Sequence, residues 1–407
     1  MLKRLLGAQW LAIGFIGGVS LLLNVFIARR FGPEAFGVYA QAVTLGAFLA
    51  ILIDGGFGKL LMREMASSTP ALASHTGDLH GLAFGHALRV MAIMALLTVT
   101  LPLPLHGLTL LATVAAFGVA VMSSLSLAIL RGKGRLVRDA ASQMVNRTLT
   151  AVAIALALWL GAHAPWQILV AQAIGALMFL AFLMRGVWIA PRFRVPGKVY
   201  AMALPLVWLD LATLIYFRSD MLLFEVMGVP MTDVGAYGVA FRMIEAFLLL
   251  ATPVSLLLFR HFRLNADLLR DAPRWRIVRI AGMAGGVGIT VFLVSLMTSG
   301  WFFTAAFGEE FGLAGDLFKV LSLMLVFALA NGVIGQGVFA LGEDRRYVWT
   351  ATVAAVFNVL GNLLVMPVYG VWGAAWMTVA TEIVLGVGLA WTLNMAWRRK
   401  LNEGVSA

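Results

Sequence analysis

Cysteine is absent from the 407 residues, which excludes a disulfide framework, a thiolate nucleophile and any Cys-ligated metal site. The six histidines, His75, His80, His86, His106, His163 and His261, include no i, i+4 pair that would set two imidazoles on one helical face for a metal. No Walker A motif occurs, so the chain cannot drive work with its own ATP hydrolysis. Nothing resembles a nucleophile elbow, and no cofactor is expected. Charge is also scarce: Asp, Glu, Lys and Arg make up 12% of the chain, with 19 acids against 30 bases.

What is present is apolar. Hydrophobic residues make up 61% of the chain and the mean hydropathy is +0.94, the composition of a polytopic membrane protein. Apolar windows of about 20 residues, enough to cross about 30 Å of hydrocarbon, recur from end to end and leave no room for a soluble domain. The basic N-terminus leads into an apolar stretch longer than a signal-peptide core, without a small-residue cleavage site, and reads as a retained first helix. Helices are expected at about 8 to 28, 37 to 58, 82 to 103, 108 to 130, 142 to 161, 166 to 184, 200 to 224, 234 to 259, 277 to 303, 317 to 341, 347 to 367 and 371 to 397.

The net charge of +11 would suggest a nucleic-acid partner in a soluble protein, but here the cations alternate with the spans. With both termini in the cytosol, all Lys and Arg fall on the cytosolic side except Arg29, Arg30, Arg218, Arg242 and Lys319. The positive-inside rule therefore sets the orientation and accounts for the basic charge without nucleic acid.

Two stretches repeat about half a chain apart. FGVYAQAV (36 to 43) matches VGAYGVAF (234 to 241), and LRGKGR (130 to 135) resembles LGEDRR (341 to 346). The chain thus reads as an N-terminal six-helix lobe at 1–185, a basic cytosolic linker at 186–199, a C-terminal six-helix lobe at 200–397 and a cytosolic tail at 398–407. Six is even, so both copies enter from the cytosol and the repeat is parallel, with a pseudo-twofold along the membrane normal.

RRFGPEAFGVYAQAVTLGAFLAILIDGGF (29 to 57), VGAYGVAFRMIEAFLLLATPVS (234 to 255) and FNVLGNLLVMPVYGVWGAAWMTVATEIV (357 to 384) resemble the polysaccharide-export branch of the multidrug/oligosaccharidyl-lipid/polysaccharide exporter superfamily. The resemblance runs from helix 1 through helix 12 with the motif order preserved. It implies an all-α fold of the superfamily's two-lobed type and flipping of undecaprenyl-diphosphate-linked oligosaccharide, an O-antigen or exopolysaccharide repeat unit, across the bacterial inner membrane. It also implies a polyprenyl-diphosphate-linked glycan and membrane lipids as partners, with other polysaccharide assembly proteins beside them. Lipid II flippases are similar but carry two further helices.

An isolated charge at mid-bilayer costs about 2.5 to 3.5 kcal/mol on insertion scales, so each intramembrane ion needs a partner or a wet cavity. Asp210, Arg218 and Asp220 share helix 7; Asp210 and Arg218 lie about 80° apart around it and could face one cavity. Arg218 has Asp220 or an acid of another helix as a structural partner. Arg242 and Glu245 are three apart on helix 8 and can pair directly. Alternatively, arginines in a cavity grip a diphosphate with bidentate bonds, whatever the attached sugar.

Asp54 near the cytosolic end of helix 2 and Glu382, inside helix 12 without an adjacent cation, are candidates for coupling to a proton or cation gradient, against a packing role. The resemblance places Arg29 and Arg30 at the outer mouth of the cavity, where they could receive the diphosphate; snorkelling to headgroups or pairing with Glu34 is the plainer role. Asn331, Gln336, Asn358 and Asn362 are candidate polar cavity residues or interhelical glue. Gly14 with Gly18 and Gly282 with Gly286 have the spacing of close helix packing, and Pro205, Pro253 and Pro367 are expected to kink or end helices.

Three other functions compete with the flippase. A multidrug/cation antiporter would favour acids and aromatics over arginines. A membrane-embedded glycan polymerase or ligase usually needs a long extracytosolic loop, and the outer loops near 225 to 233 and 303 to 316 are short. A scaffold subunit would have little use for charges inside its spans.

Overall fold

Glycine and proline set the shape of the two longest helices. The computed structural model describes residues 2–67, 78–100, 107–183, 190–264 and 275–405. Among them are eleven α-helices, one 3-10 turn at Glu309–Phe311 and no strand. The helices are α1 (Leu2–Asp54), α2 (Phe57–Ala66), α3 (Leu79–Thr100), α4 (Gly107–Gly132), α5 (Leu136–Trp159), α6 (Pro165–Leu183), α7 (Gly197–Val226), α8 (Met231–Leu264), α9 (Trp275–Phe307), α10 (Gly312–Ala340) and α11 (Asp344–Val405).

Each of α1 and α11 holds two of the expected helices, joined by one residue rather than a loop. In α1 the joint is Gly32 (φ 71°, ψ 175°), followed by Pro33. In α11 it is Gly370 (φ 52°, ψ −132°), three residues after Pro367. Both glycines adopt backbone angles that a Cβ disfavours, and Pro33 then restarts the helix with its φ preset and no amide to satisfy. The connection expected between helices ending near 28 and starting near 37 is thus a single-residue break within Gly-Pro-Glu.

Among the described residues, eight helices are long and apolar enough to span a bilayer; the stretches Trp10–Asp54 (45 residues) and Asp344–Ala396 (53 residues) are each long enough for two crossings. The outer surface fits that environment, with Met297, Leu364 and Trp159 all largely exposed. The chain is a multi-pass membrane protein.

The second expected helix stops at Asp54 rather than 58, because Gly55 and Gly56 both take positive φ. The segment read as a plain connection is instead the amphipathic helix α2, which buries Phe57, Leu60, Leu61 and Glu64. It joins a core with Ile53, Phe84, Leu125 and Phe179.

The chain divides into two compact units, Met1–Leu211 and Ala212–Ala407, with the division inside α7. In the first, α4 is the central helix and packs on α1, α2, α3, α5 and α6. The extended residues 190–196 lie against α3: Arg192 N–H donates to Gly81 O (2.8 Å) and its guanidinium to Asp78 (2.5 Å). In the second unit α10 is central, packed on α8, α9 and α11 around Phe262, Ile277, Val338, Ala354 and Leu389.

The glycines that bring helices close are not those the spacing predicts. Gly14, Gly18, Gly282 and Gly286 have open space where a Cβ would stand. Close approach occurs at Gly175, where a Cβ would meet the Thr150 backbone of α5 at 2.5 Å, and at Gly288, where it would meet Val326 of α10 at 2.6 Å. A small-residue repeat marks a smooth helix face, but which face meets a neighbour is set by the whole bundle.

Candidate functional site

In the second unit, one carboxylate serves two arginines. Arg242 and Glu245 are i, i+3 neighbours on α8, and Arg242 Nη1 donates to Glu245 Oε2 at 2.9 Å. Arg218 comes from α7 and its Nη2 donates to the other oxygen, Glu245 Oε1. The Arg218 guanidinium also sits 4.7 Å over the Phe241 ring, a cation–π contact that holds it against α8. The side chains are 7%, 18% and 29% exposed for Arg218, Arg242 and Glu245, so the trio is shielded but reachable on its carboxylate and Arg242 side.

Within the trio itself, two cations against one anion leave a formal charge of +1, with the Asp220 carboxylate a further acid in electrostatic reach of Arg218. Each guanidinium has five N–H donors, far more than one carboxylate can accept. Donors therefore remain on both guanidiniums beyond those that Glu245 takes up.

Asp220 is not the partner of Arg218. Residues two apart on a helix point to different sides. Asp220 instead accepts from the Tyr237 hydroxyl and from the Met221 amide (2.7 Å). Tyr237 is fully buried, packs on Phe224 and Phe241, and lies 3.4 Å from Thr378 of α11. Charge counting from sequence overlooks this residue, although the repeated Gly-Tyr-Ala pattern singles it out.

A second polar cluster joins the two halves of α11 to α7 and α10. Asn358 Oδ1 accepts from Ser219 Oγ and Asn362 Nδ2, both at 3.0 Å, and its Nδ2 donates to Thr381 Oγ1 at 3.0 Å. Its side-chain amide thus ties α7 to both halves of α11. Asn362 Oδ1 is buried without a hydrogen-bond partner among the described residues. Glu382, 3% exposed, accepts from Asn331 Nδ2 at 2.8 Å, and the same nitrogen reaches the Glu382 carbonyl at 2.8 Å. No cation pairs with Glu382 among the described residues. Gly386, one turn on, leaves room for Asn331, since a Cβ there would meet Asn331 Oδ1 at 2.6 Å. Gln336 is half-buried on α10.

In the first unit, Asp210 of α7 pairs with Lys59 of α2. Asp210 and Arg218, which helical geometry alone would let share a cavity, thus have separate partners, Lys59 and Glu245. Asp54 accepts from the Gly58 amide (3.2 and 3.3 Å to its two oxygens), so it caps the first turn of α2. Arg29 and Arg30 are exposed in the last turn before the Gly32 break.

A hydrogen-bonded chain absent from the sequence reading runs nearby. Arg89 donates to Tyr200 Oη (3.0 Å), Tyr200 Oη lies 3.0 Å from His86 Nδ1, and His86 Nε2 lies 3.1 Å from Leu52 O. A carbonyl only accepts, so Nε2 carries a proton and Tyr200 donates to Nδ1. No group of three or more His, Cys, Asp or Glu side chains able to hold a metal is found among the described residues.

Residues 6–259 match the family model described as polysaccharide biosynthesis protein. A search of curated protein sequences finds no match. Among solved structures, the chain is similar to the lipid II flippase MurJ in an inward closed conformation, with TM-score 0.72 and 15% identity over 96% of this chain and 90% of that one. It is similar to an inward-facing multidrug resistance MATE family transporter of the MOP superfamily, with TM-score 0.69 and 14% identity over 94% and 95%. A MOP superfamily transporter from Pyrococcus furiosus, described as having a binding pocket of reverse polarity, aligns with TM-score 0.58 and 14% identity over 98% and 96%. At these identities the likeness establishes the fold, which is that of the MOP and MATE transporters.

Proposed function

Because the chain belongs to the polysaccharide biosynthesis protein family, we propose that it moves a polyprenyl-diphosphate-linked oligosaccharide, an O-antigen or exopolysaccharide repeat unit, across the bacterial inner membrane, with both termini in the cytosol. The observation that carries this reading is the Arg218–Glu245–Arg242 trio, whose excess positive charge and spare donors suit a diphosphate. A diphosphate is common to such lipids whatever glycan follows, so a transporter can grip it while leaving the sugar loosely held.

Translocation needs no covalent step. The guanidiniums replace water around the diphosphate, the polyprenyl chain stays in lipid, and alternating access exposes the site to one membrane face and then the other. Glu382, buried and held only by Asn331 among its described contacts, is the carboxylate best placed to take up a proton or cation and drive that exchange. Arg29 and Arg30, exposed at the Gly32 break, are proposed to receive the head group at the outer face.

The test is flipping of a polyprenyl-diphosphate oligosaccharide in proteoliposomes. Arg218→Ala and Arg242→Ala, each folded and inserted as the parent protein, are expected to lose most activity. Full activity in both would reduce the trio to a structural ion pair, and inactive parent protein that exports cationic drugs would replace the function itself with the antiporter.

A further inference from the structure

Between residues 10 to 15 of α1 and the first turns of α5 lies an open groove of about 690 Å³. Its walls are apolar: Trp10, Leu11 and Phe15 from α1, with Val137, Ala141 and Met144 from α5. Gly14 forms part of the floor, and a Cβ there would meet nothing within 4 Å, so the groove is open at its centre. The lining on α5 runs from Val137 to Met144, eight residues and about 10 Å along the helix, shorter than the half-thickness of a hydrocarbon core of about 30 Å.

The chain around the start of the groove's α5 wall, at Val137, is strongly basic. Lys133, Arg135 and Arg138 stand exposed where α5 begins, and none has an ion pair among the described residues. Arg131 differs, because buried Asp139 pairs with it at 3.4 Å while accepting from Gln143. The start of α5 carries no side-chain cap, so its free amides add positive potential at the same point. Trp10, 40% exposed, lines the groove as an aromatic residue suited to the interface between head groups and chains.

We propose that this groove is a binding site for an anionic phospholipid of the surrounding bilayer, its phosphate at Lys133, Arg135 and Arg138 and one acyl chain along the α1–α5 groove. An apolar channel whose α5 wall begins beside three cations with no ion pair among the described residues has the charge and polarity of such a lipid from head to tail. Leu11 and Val137 in its walls are exposed, so a chain lying in the groove stays continuous with the leaflet. The groove and its cations belong to the first unit, whereas the arginine trio assigned to the diphosphate belongs to the second, so this inference does not rest on the proposed substrate.

The absence of cysteine makes a site-specific probe direct. Ala141→Cys, labelled with bimane and reconstituted in nanodiscs, is titrated with phosphatidylglycerol or phosphatidylcholine carrying brominated acyl chains. Quenching by brominated phosphatidylglycerol is expected at about one tenth of the mole fraction needed for phosphatidylcholine. The preference should vanish in Lys133→Gln/Arg135→Gln/Arg138→Gln, and Gly14→Leu should weaken quenching by both lipids. A label at Met297→Cys, 90% exposed on α9, should show no preference. Equal quenching by the two lipids at Ala141→Cys, or a preference that survives loss of the three cations in folded protein, overturns the proposal. So does displacement of the brominated lipid by an equimolar polyprenyl diphosphate, which would make the groove a substrate site.

Discussion

Glu245→Gln distinguishes a structural ion pair from an anion site by the sign of a ligand effect. The substitution keeps the shape of the side chain but removes the only carboxylate that Arg218 and Arg242 share among their described contacts. Breaking a buried pair by removing one partner costs about 3 to 5 kcal/mol, and the 29% exposure of Glu245 places the cost near 3. For a unit of this size that is a fall in Tm on the order of 10 °C. An anion that replaces the carboxylate should restore it: inorganic diphosphate at about 100 times its Kd contributes about 2.7 kcal/mol, close to the whole loss. The assay is thermal unfolding of purified protein across a diphosphate titration, with chloride at matched ionic strength as control. The variant should gain several degrees more from diphosphate than the parent, whose carboxylate competes with the ligand. Equal shifts in the two proteins, or a destabilised variant that diphosphate does not rescue, would refute the anion-site assignment.

Three backbone positions yield further expectations. Gly386→Ala should push Asn331 off Glu382 and lower stability by about 1 to 3 kcal/mol through an unsatisfied buried carboxylate, while adding Asn331→Ala should cost little more, read by thermal unfolding as a double-mutant cycle. Gly85→Val should displace residues 190–196 from α3, because a Cβ there meets the Arg192 carbonyl at 2.0 Å; tryptic cleavage after Arg192 or Arg194 should accelerate several-fold. Gly32→Ala should cost about 1 to 3 kcal/mol at its φ of 71° and ψ of 175°, whereas Gly14→Ala, in open space, should be near neutral in the same unfolding assay.

The membrane class and the course of the helices were legible because hydropathy acts over about 20 residues, where single errors average out. Single-residue features escaped that averaging. A Gly-Pro-Glu run reads as a loop unless Gly32 is known to turn alone, and the glycines at GxxxG spacing face open space while Gly175 and Gly288 make the contacts. The helix α2 was hidden because it is short and only half apolar, so no span-length window detects it.

The trio shows the same division at the level of chemistry. Arg242 with Glu245 follows from spacing on one helix, and the same geometry disfavours Asp220 as partner to Arg218, since i, i+2 side chains diverge. What spacing could not supply was that Arg218 of α7 reaches the carboxylate already used by Arg242, a fact of packing between helices held partly by Phe241. That shared use decides the chemistry. Had each arginine kept its own acid, the site would be neutral and saturated. With one acid between two, the trio carries a positive charge and unused donors, which inside a span call for either an anionic partner or a wet cavity.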